Sequence, residues 1–240
     1  MIQIIPSISI ISGKVVRLIK GDYCEEKTYE GSPLDVARRF EDSGVKVVHL
    51  VDLEGAKVGT PVNYHVLEAI ASHTSLKVDF TGGLHTDGDL IKVFEFGAAY
   101  VTVASISALN KDLFSSWILS YGREKVTLGA DSLNNKISIK GWQKKTDINL
   151  FEHIKYFYDH GLKYVKTTDI SRDGLMEGPA FDLYRNIQEQ FPNICILASG
   201  GVRSVEDIDT LQEMGIFAVI IGRAIYEGKL KLSDLAKFLQ

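Results

Sequence analysis

Hydrophobic positions along this chain fall into two alternating kinds of run. Short β-branched stretches read as eight strands: "QIIPSISII" from Gln3, "KVVHLVD" from Lys46, "LKVDF" from Leu76, "AYVTVAS" from Ala99, "KVTLGAD" from Lys125, "KYVKTTD" from Lys163, "ICILAS" from Ile194 and "FAVIIG" from Phe217. Amphipathic segments between them read as helices. In "SPLDVARRFEDSG", Ser32 can cap, Pro33 fits the first turn and Gly44 ends the helix. Near-continuous apolar strands joined by crossover helices predict a parallel sheet covered on both faces, either a closed barrel or an open doubly wound sheet.

A half-length repeat favours closure. "GGLHTDGDLIKVFEFGAAYVTVAS" from Gly82 aligns without a gap with "GGVRSVEDIDTLQEMGIFAVIIGR" from Gly200, an offset of 118 residues. Upstream, "HLVDLEGAKVGTPVNYHVLEAI" from His49 parallels "KTTDISRDGLMEGPAFDLYRNI" from Lys166, each with an Asp closing a strand, a Gly-bearing loop and a helix. Two such halves predict an α/β fold, a (β/α)8 TIM barrel built from duplicated half barrels and occupying residues 1–240 as one domain. The length agrees, since about 250 residues is usual for that architecture. Active sites of such barrels lie at the C-terminal ends of the strands.

Composition narrows the partners. The net charge is −4 with no basic block, so nucleic acid and anionic membranes are not expected partners. Two cysteines, Cys24 and Cys195, suggest neither a disulfide framework nor a metal knuckle and suit a reducing compartment. The start lacks the basic and long apolar segments of a signal peptide, and no run approaches 18 apolar residues. The expectation is a cytoplasmic monomer acting on a small molecule.

Candidate chemistry sits at the predicted strand ends. "ASGG" (Ala198 to Gly201) and "IIGRA" (Ile220 to Ala224) follow the last two strands, where glycine turns and helix N-termini bind phosphate in barrels. Their repeat counterparts are "FTGG" (Phe80 to Gly83) and "VASIS" (Val103 to Ser107), with Ser105 able to offer a hydroxyl. Two cradles on opposite sides of the mouth call for a ligand with an anionic group at each end. Ser9 is the counterpart of Asp131, so only one side of the axis carries a carboxylate where an acid and a base would face each other. Asp52, Asp169 and Asp173 read first as caps or loop acceptors. Five histidines (His49, His65, His73, His153, His160) are dispersed without ligand spacing, so no metal is expected, whereas His85 follows a Gly-Gly pair and can face a ligand. Trp142 lies in the long loop "SLNNKISIKGWQKKTD", as a surface residue or as an aromatic lid. There is no P-loop, no dinucleotide fingerprint and no evident Schiff-base lysine, and no cofactor is expected.

Together "IIPSISIISGKVVRLIKGDY", "HLVDLEGAKVGTPVNY", "DFTGGL", "LGADS", the Trp142 loop, "TTDISRDGLMEGP", "ASGGV" and "IGRAIYEG" resemble the ProFAR isomerases of histidine biosynthesis, from Ile2 to about Lys231. The resemblance implies an Amadori rearrangement of a ribotide bearing two phosphates, without cofactor or metal. It places Asp131 at one of two catalytic carboxylates, and Thr168 and Asp173 at assisting positions. It assigns Gly82, Gly83, Ser105, Gly178, Ser199, Gly200, Gly201, Gly222 and Arg223 to phosphate binding, Arg17 and Gly21 to the first active-site loop, and Trp142 to stacking over substrate. Four positions depart from the pattern. Ser9 replaces the aspartate that acts as base, Thr81 and His85 replace a glycine and an arginine, and Ala104 replaces a glycine. Loss of a positioned base costs typically 10²–10⁴-fold in rate. Two alternatives therefore accompany the isomerase reading: a weakly active or inactive phosphosugar-binding barrel, and an isomerase for a one-phosphate substrate such as phosphoribosylanthranilate.

Overall fold

A computed structural model describes residues 1–239. Eight parallel strands close into a barrel: β1 (Gln3–Ile11), β2 (Val47–Asp52), β3 (Lys77–Thr81), β4 (Ala98–Val103), β5 (Val126–Gly129), β6 (Tyr164–Thr168), β7 (Cys195–Ser199) and β8 (Ala218–Ile221). Closure is made by β8 on β1, with Gln3 opposite Ala218 and Pro6 opposite Ile221. Each strand sends one set of side chains outward under the helices and the alternate set into the barrel. Ile8, Ile10, Leu50, Val78 and Phe80 are fully buried on the outer face, whereas Ile5, Val47, Leu197, Ala218 and Ile220 form a separate apolar plug in the barrel interior.

The first helix begins where the sequence predicts. Ser32 Oγ accepts the Asp35 N–H at 3.1 Å and the Asp35 carboxylate accepts the Ser32 N–H at 3.1 Å, a reciprocal cap for helix Pro33–Asp42. Thr86 and Asp89 repeat the arrangement at helix Asp87–Glu95.

Two additions to the barrel were not legible as strands. β1 continues into an antiparallel extension, Lys14–Ile19 and Asp22–Thr28, and the predicted long loop after β5 is a three-stranded sheet of Ser132–Leu133, Lys136–Ile139 and Lys144–Asn149. Both are polar and exposed on much of their surface, so their hydrophobic alternation is weak. No helix among the described residues is long and apolar enough to cross a membrane.

One buried histidine ties the fold to pH. His153, on helix Leu150–Asp159, has Nε2 3.0 Å from Ser107 Oγ, and that hydroxyl donates to the Ala104 carbonyl at 2.6 Å. Burial pushes the imidazole down to about 4, with the Lys111 charge adding to it. An unfolded chain takes up this proton near 6.5, so stability is full above that value and falls as pH drops towards about 4. The loss attributable to His153 is about 3 kcal/mol. Urea unfolding of the wild type and of His153→Gln between pH 7 and pH 4 should show a shallower decline in the variant.

Candidate active site

At the C-terminal ends of the strands the barrel opens into a polar cavity of about 160 Å³, lined from the first half by Ser9, His49, Gly82 and His85 and from the second by Asp131 and Lys166. A smaller cavity of about 60 Å³, lined by Gly200, Gly201, Gly222 and Arg223, adjoins it through shared Ser7, Arg17, Asp173 and Ser199. The two glycine cradles thus lie on either side of the residues over the barrel axis.

The glycine turns obey the repeat in three dimensions. Gly83 has φ +82°, and a Cβ there would fall 2.4 Å from the Thr60 carbonyl carbon. Gly201 has φ +79°, and a Cβ would fall 2.2 Å from the carbonyl oxygen of Gly178, which closes on Gly201 as Thr60 closes on Gly83. Gly178 does not line either cavity; its N–H donates to the Gly201 carbonyl at 2.9 Å and so holds the cradle from behind.

Ala104 and Gly222 also correspond, at φ −108°, ψ −78° and φ −112°, ψ −101°, neither in the left-handed region that favours glycine. Glycine is needed only at Gly222, where a Cβ would meet Arg17 Nη2 at 2.4 Å. Arg17, on the strand extending β1, donates from Nη1 to Ser9 Oγ at 3.1 Å and from Nη2 to the Ser7 carbonyl at 2.7 Å. Its guanidinium lies 5.2 Å from the Tyr226 ring centroid. Arg223 donates to the Gly174 carbonyl and approaches Glu227 at 3.6 Å.

Asp131 is held from two sides. Lys166 Nζ donates to its carboxylate oxygens at 2.8 and 2.9 Å, and Trp142 Nε1 donates to Oδ2 at 3.0 Å. Trp142 lies in the turn between the last two strands of the three-stranded sheet and lines the cavity, with its ring so close to Gly21 that a Cβ there would sit 2.6 Å from it. The same segment is fastened by Gln143 Nε2 to the Gly21 carbonyl at 3.0 Å and by the Lys140 N–H to Ser105 Oγ at 2.9 Å. Ser105 is therefore engaged by this hairpin, and Trp142 is at once a hairpin residue and a cover.

Asp173 lines both cavities, and burial raises its carboxyl above the ordinary range, with Arg17 and Lys166 pulling the other way. Thr168 Oγ1 is buried without a hydrogen-bond partner beside Gly200. His85 lines the first-half cradle with Nδ1 3.1 Å from the Gly83 carbonyl. Asp52 is structural, capping helix Leu53–Val58 and accepting the N–H groups of Val62 and Asn63. Asp169 is likewise a loop acceptor for Ser171.

Three interior groups escaped the sequence reading. Lys166 faces into the cavity from β6, and His49 from β2 has Nδ1 2.7 Å from Asp79 Oδ2, itself bonded by Thr102 Oγ1 at 2.8 Å. Their signal was phase. Lys166 in "YVKTT" and Asp79 in "KVDFT" occupy interior positions of apolar strands, where an unpaired charge is not tolerated. Among the described residues no three His, Cys, Asp or Glu side chains converge as a metal site.

Fold and cavity define a (β/α)8 barrel of two half barrels with a polar, glycine-flanked site at its C-terminal mouth. The chain belongs to the histidine biosynthesis protein family, whose model matches residues 3–231. A relative from Parabacteroides distasonis is 51% identical over 238 residues, 99% of this chain and 100% of the relative. One from Cytophaga hutchinsonii is 46% identical over 238 residues, 99% of each chain. Both bear the name 1-(5-phosphoribosyl)-5-((5-phosphoribosylamino)methylideneamino) imidazole-4-carboxamide isomerase.

The Asp131–Lys166 pair is 9% and 10% exposed, so removing one partner leaves a buried charge. Lys166→Met should cost about 3 kcal/mol or more in urea unfolding at neutral pH. Adding Asp131→Asn should recover most of that loss, and strict additivity of the two changes would contradict the pairing.

Proposed function

We propose that this chain is the aldose–ketose isomerase of histidine biosynthesis, converting the bisphosphorylated ribotide ProFAR to its aminoketose by an Amadori rearrangement. The observation that carries this reading is the pair of matched glycine cradles in two adjoining cavities that share Ser7, Arg17, Asp173 and Ser199. Two phosphoribosyl groups in the relatives' name fit a site with an anion cradle at each end.

In this reading the Gly200, Gly201, Gly222 and Arg223 cradle takes one phosphate and the Gly82, Gly83 and His85 cradle the other. Arg17 and Ser199 lie beside the first of these. Ser105 joins the second when the Lys140 N–H gives up its hydroxyl. Asp173 gives a proton to the ring oxygen, the sugar opens to a cationic Schiff base, and the Asp131 carboxylate stabilises that cation. A carboxyl raised by burial suits the acid role. Thr168 offers its free hydroxyl to the open sugar, and Trp142 excludes water above it. No cofactor or metal enters this chemistry, and the activity would operate in the cytoplasm.

The one-phosphate alternative draws on the altered first-half cradle, where Thr81, His85 and Ala104 stand. Ala104 is conformationally neutral here, and Gly82 and Gly83 keep their geometry, so the two-phosphate substrate is favoured. Steady-state assays should give turnover on ProFAR and little or none on phosphoribosylanthranilate, and the reverse preference would contradict the assignment. Asp173→Asn should lower kcat on ProFAR by roughly 10²–10⁴-fold.

A further inference from the structure

The proposed reaction needs an acceptor for the proton on C2 of the opened sugar, and Ser9 cannot be that acceptor. Its hydroxyl has no useful basicity near neutral pH without a partner base, and it already receives a hydrogen bond from Arg17 at 3.1 Å. On the first-half side of the cavity two histidines have one ring nitrogen against an acceptor: His85 against the Gly83 carbonyl within the glycine cradle, and His49 against a buried carboxylate beside the end of β1, where the missing base would stand.

His49 is 2% exposed, lines the cavity floor, and lies on β2 directly beside Ser7 of β1, one layer below Ser9. Its Nδ1 is 2.7 Å from Asp79 Oδ2. Asp79 is 3% exposed and also accepts from Thr102 Oγ1 at 2.8 and 3.1 Å. A carboxylate accepts only, so Nδ1 is the nitrogen that donates, and in the neutral imidazole Nε2 is the one left to accept a proton. Among the described residues nothing hydrogen-bonds that Nε2. A buried carboxylate that fixes the tautomer of an imidazole whose other nitrogen is open to a polar cavity is the arrangement of a general base with its orienting partner. The charged groups sharing this cavity are Lys166 with Asp131 across the axis, Arg17 from the strand extending β1, Lys140 from the three-stranded sheet's turn, and Asp173 from the loop after β6.

We propose that His49 is the catalytic base of this chain, held by Asp79 as a positioning residue, in place of the carboxylate that Ser9 lacks. The inference rests on the isomerase reading. Nε2 takes the C2 proton from the Schiff base, the C–H electron pair forms the C1–C2 double bond, and the imine electrons return to nitrogen. The imidazolium then delivers the proton to C1 while the C2 hydroxyl returns a proton to the Asp173 carboxylate that opened the ring. Protons and electrons balance without an oxidant or reductant, and both residues regain their starting forms.

The test measures kcat and KM on ProFAR for the wild type, His49→Asn, Asp79→Asn, and His49→Asn combined with Ser9→Asp, with thermal melts as a check on folding. The expected result is a ~10²-fold or greater fall in kcat for His49→Asn with KM changed less than about threefold. Asp79→Asn should fall by a smaller factor. Adding Ser9→Asp to His49→Asn should restore at least tenfold of the lost turnover, because it returns a carboxylate to the same cavity, a rescue that a purely structural role for His49 would not give. Should His49→Asn fail to fold, Asp79→Asn alone decides, since it keeps the side-chain shape, and unchanged kcat there would overturn the proposal. Wild-type turnover that His49→Asn leaves intact would also overturn it while sparing the isomerase reading. A wild type silent on ProFAR would overturn the isomerase reading first and the inference with it.

Discussion

Charge pairing inside a closed barrel is the constraint on which this structure depends. Eight strands enclose a packed interior where an unpaired ion is costly, so each ionisable group there needs a partner. Lys166 meets Asp131 as an ion pair in the second half, and in the first the Asp79 carboxylate is held by hydrogen bonds from His49 Nδ1 and from Thr102 Oγ1. Lys166 and His49 occupy matching places in the internal repeat, so each half contributes one basic side chain at the same depth, and only their carboxylate partners differ in position. Asp131 sits at the strand end above Lys166, whereas Asp79 lies on the strand next to His49. That difference leaves His49 Nε2 open towards the cavity, while Lys166 is spent on Asp131.

The halves also differ in what they ask of glycine. Gly83 and Gly201 are both required, because each has a left-handed φ and a backbone neighbour where a Cβ would stand. At the next cradle position Gly222 makes room for Arg17, whereas the first half carries the methyl group of Ala104 on a backbone that is not left-handed. Ser9 follows similar logic: with Arg17 bonded to it, the position serves to place a guanidinium between the two cradles.

The barrel was legible because strands buried on both faces and a gap-free repeat leave strong periodic signals. Most candidate residues share the cavity for the same reason, since strand ends are where a barrel gathers them. The antiparallel extension of β1 and the three-stranded sheet over Asp131 were not legible, as half-exposed polar strands carry little hydrophobic phase. Gly178, expected at a phosphate site, is hydrogen-bonded through its N–H to the Gly201 carbonyl, a contact that depends on loop packing rather than on strand order. His49 was passed over because a histidine within an apolar strand resembles an ordinary core residue until the Asp79 partner, thirty positions away, is seen beside it.

With His49 as base, proton transfer no longer depends on the end of β1. The most direct measurement is kcat on ProFAR for the unaltered chain against the single variant Ser9→Asp. With His49 already serving as base, the two should differ by less than about tenfold. A rise of about 10²-fold or more on restoring the carboxylate, the range a missing general base costs, would contradict it.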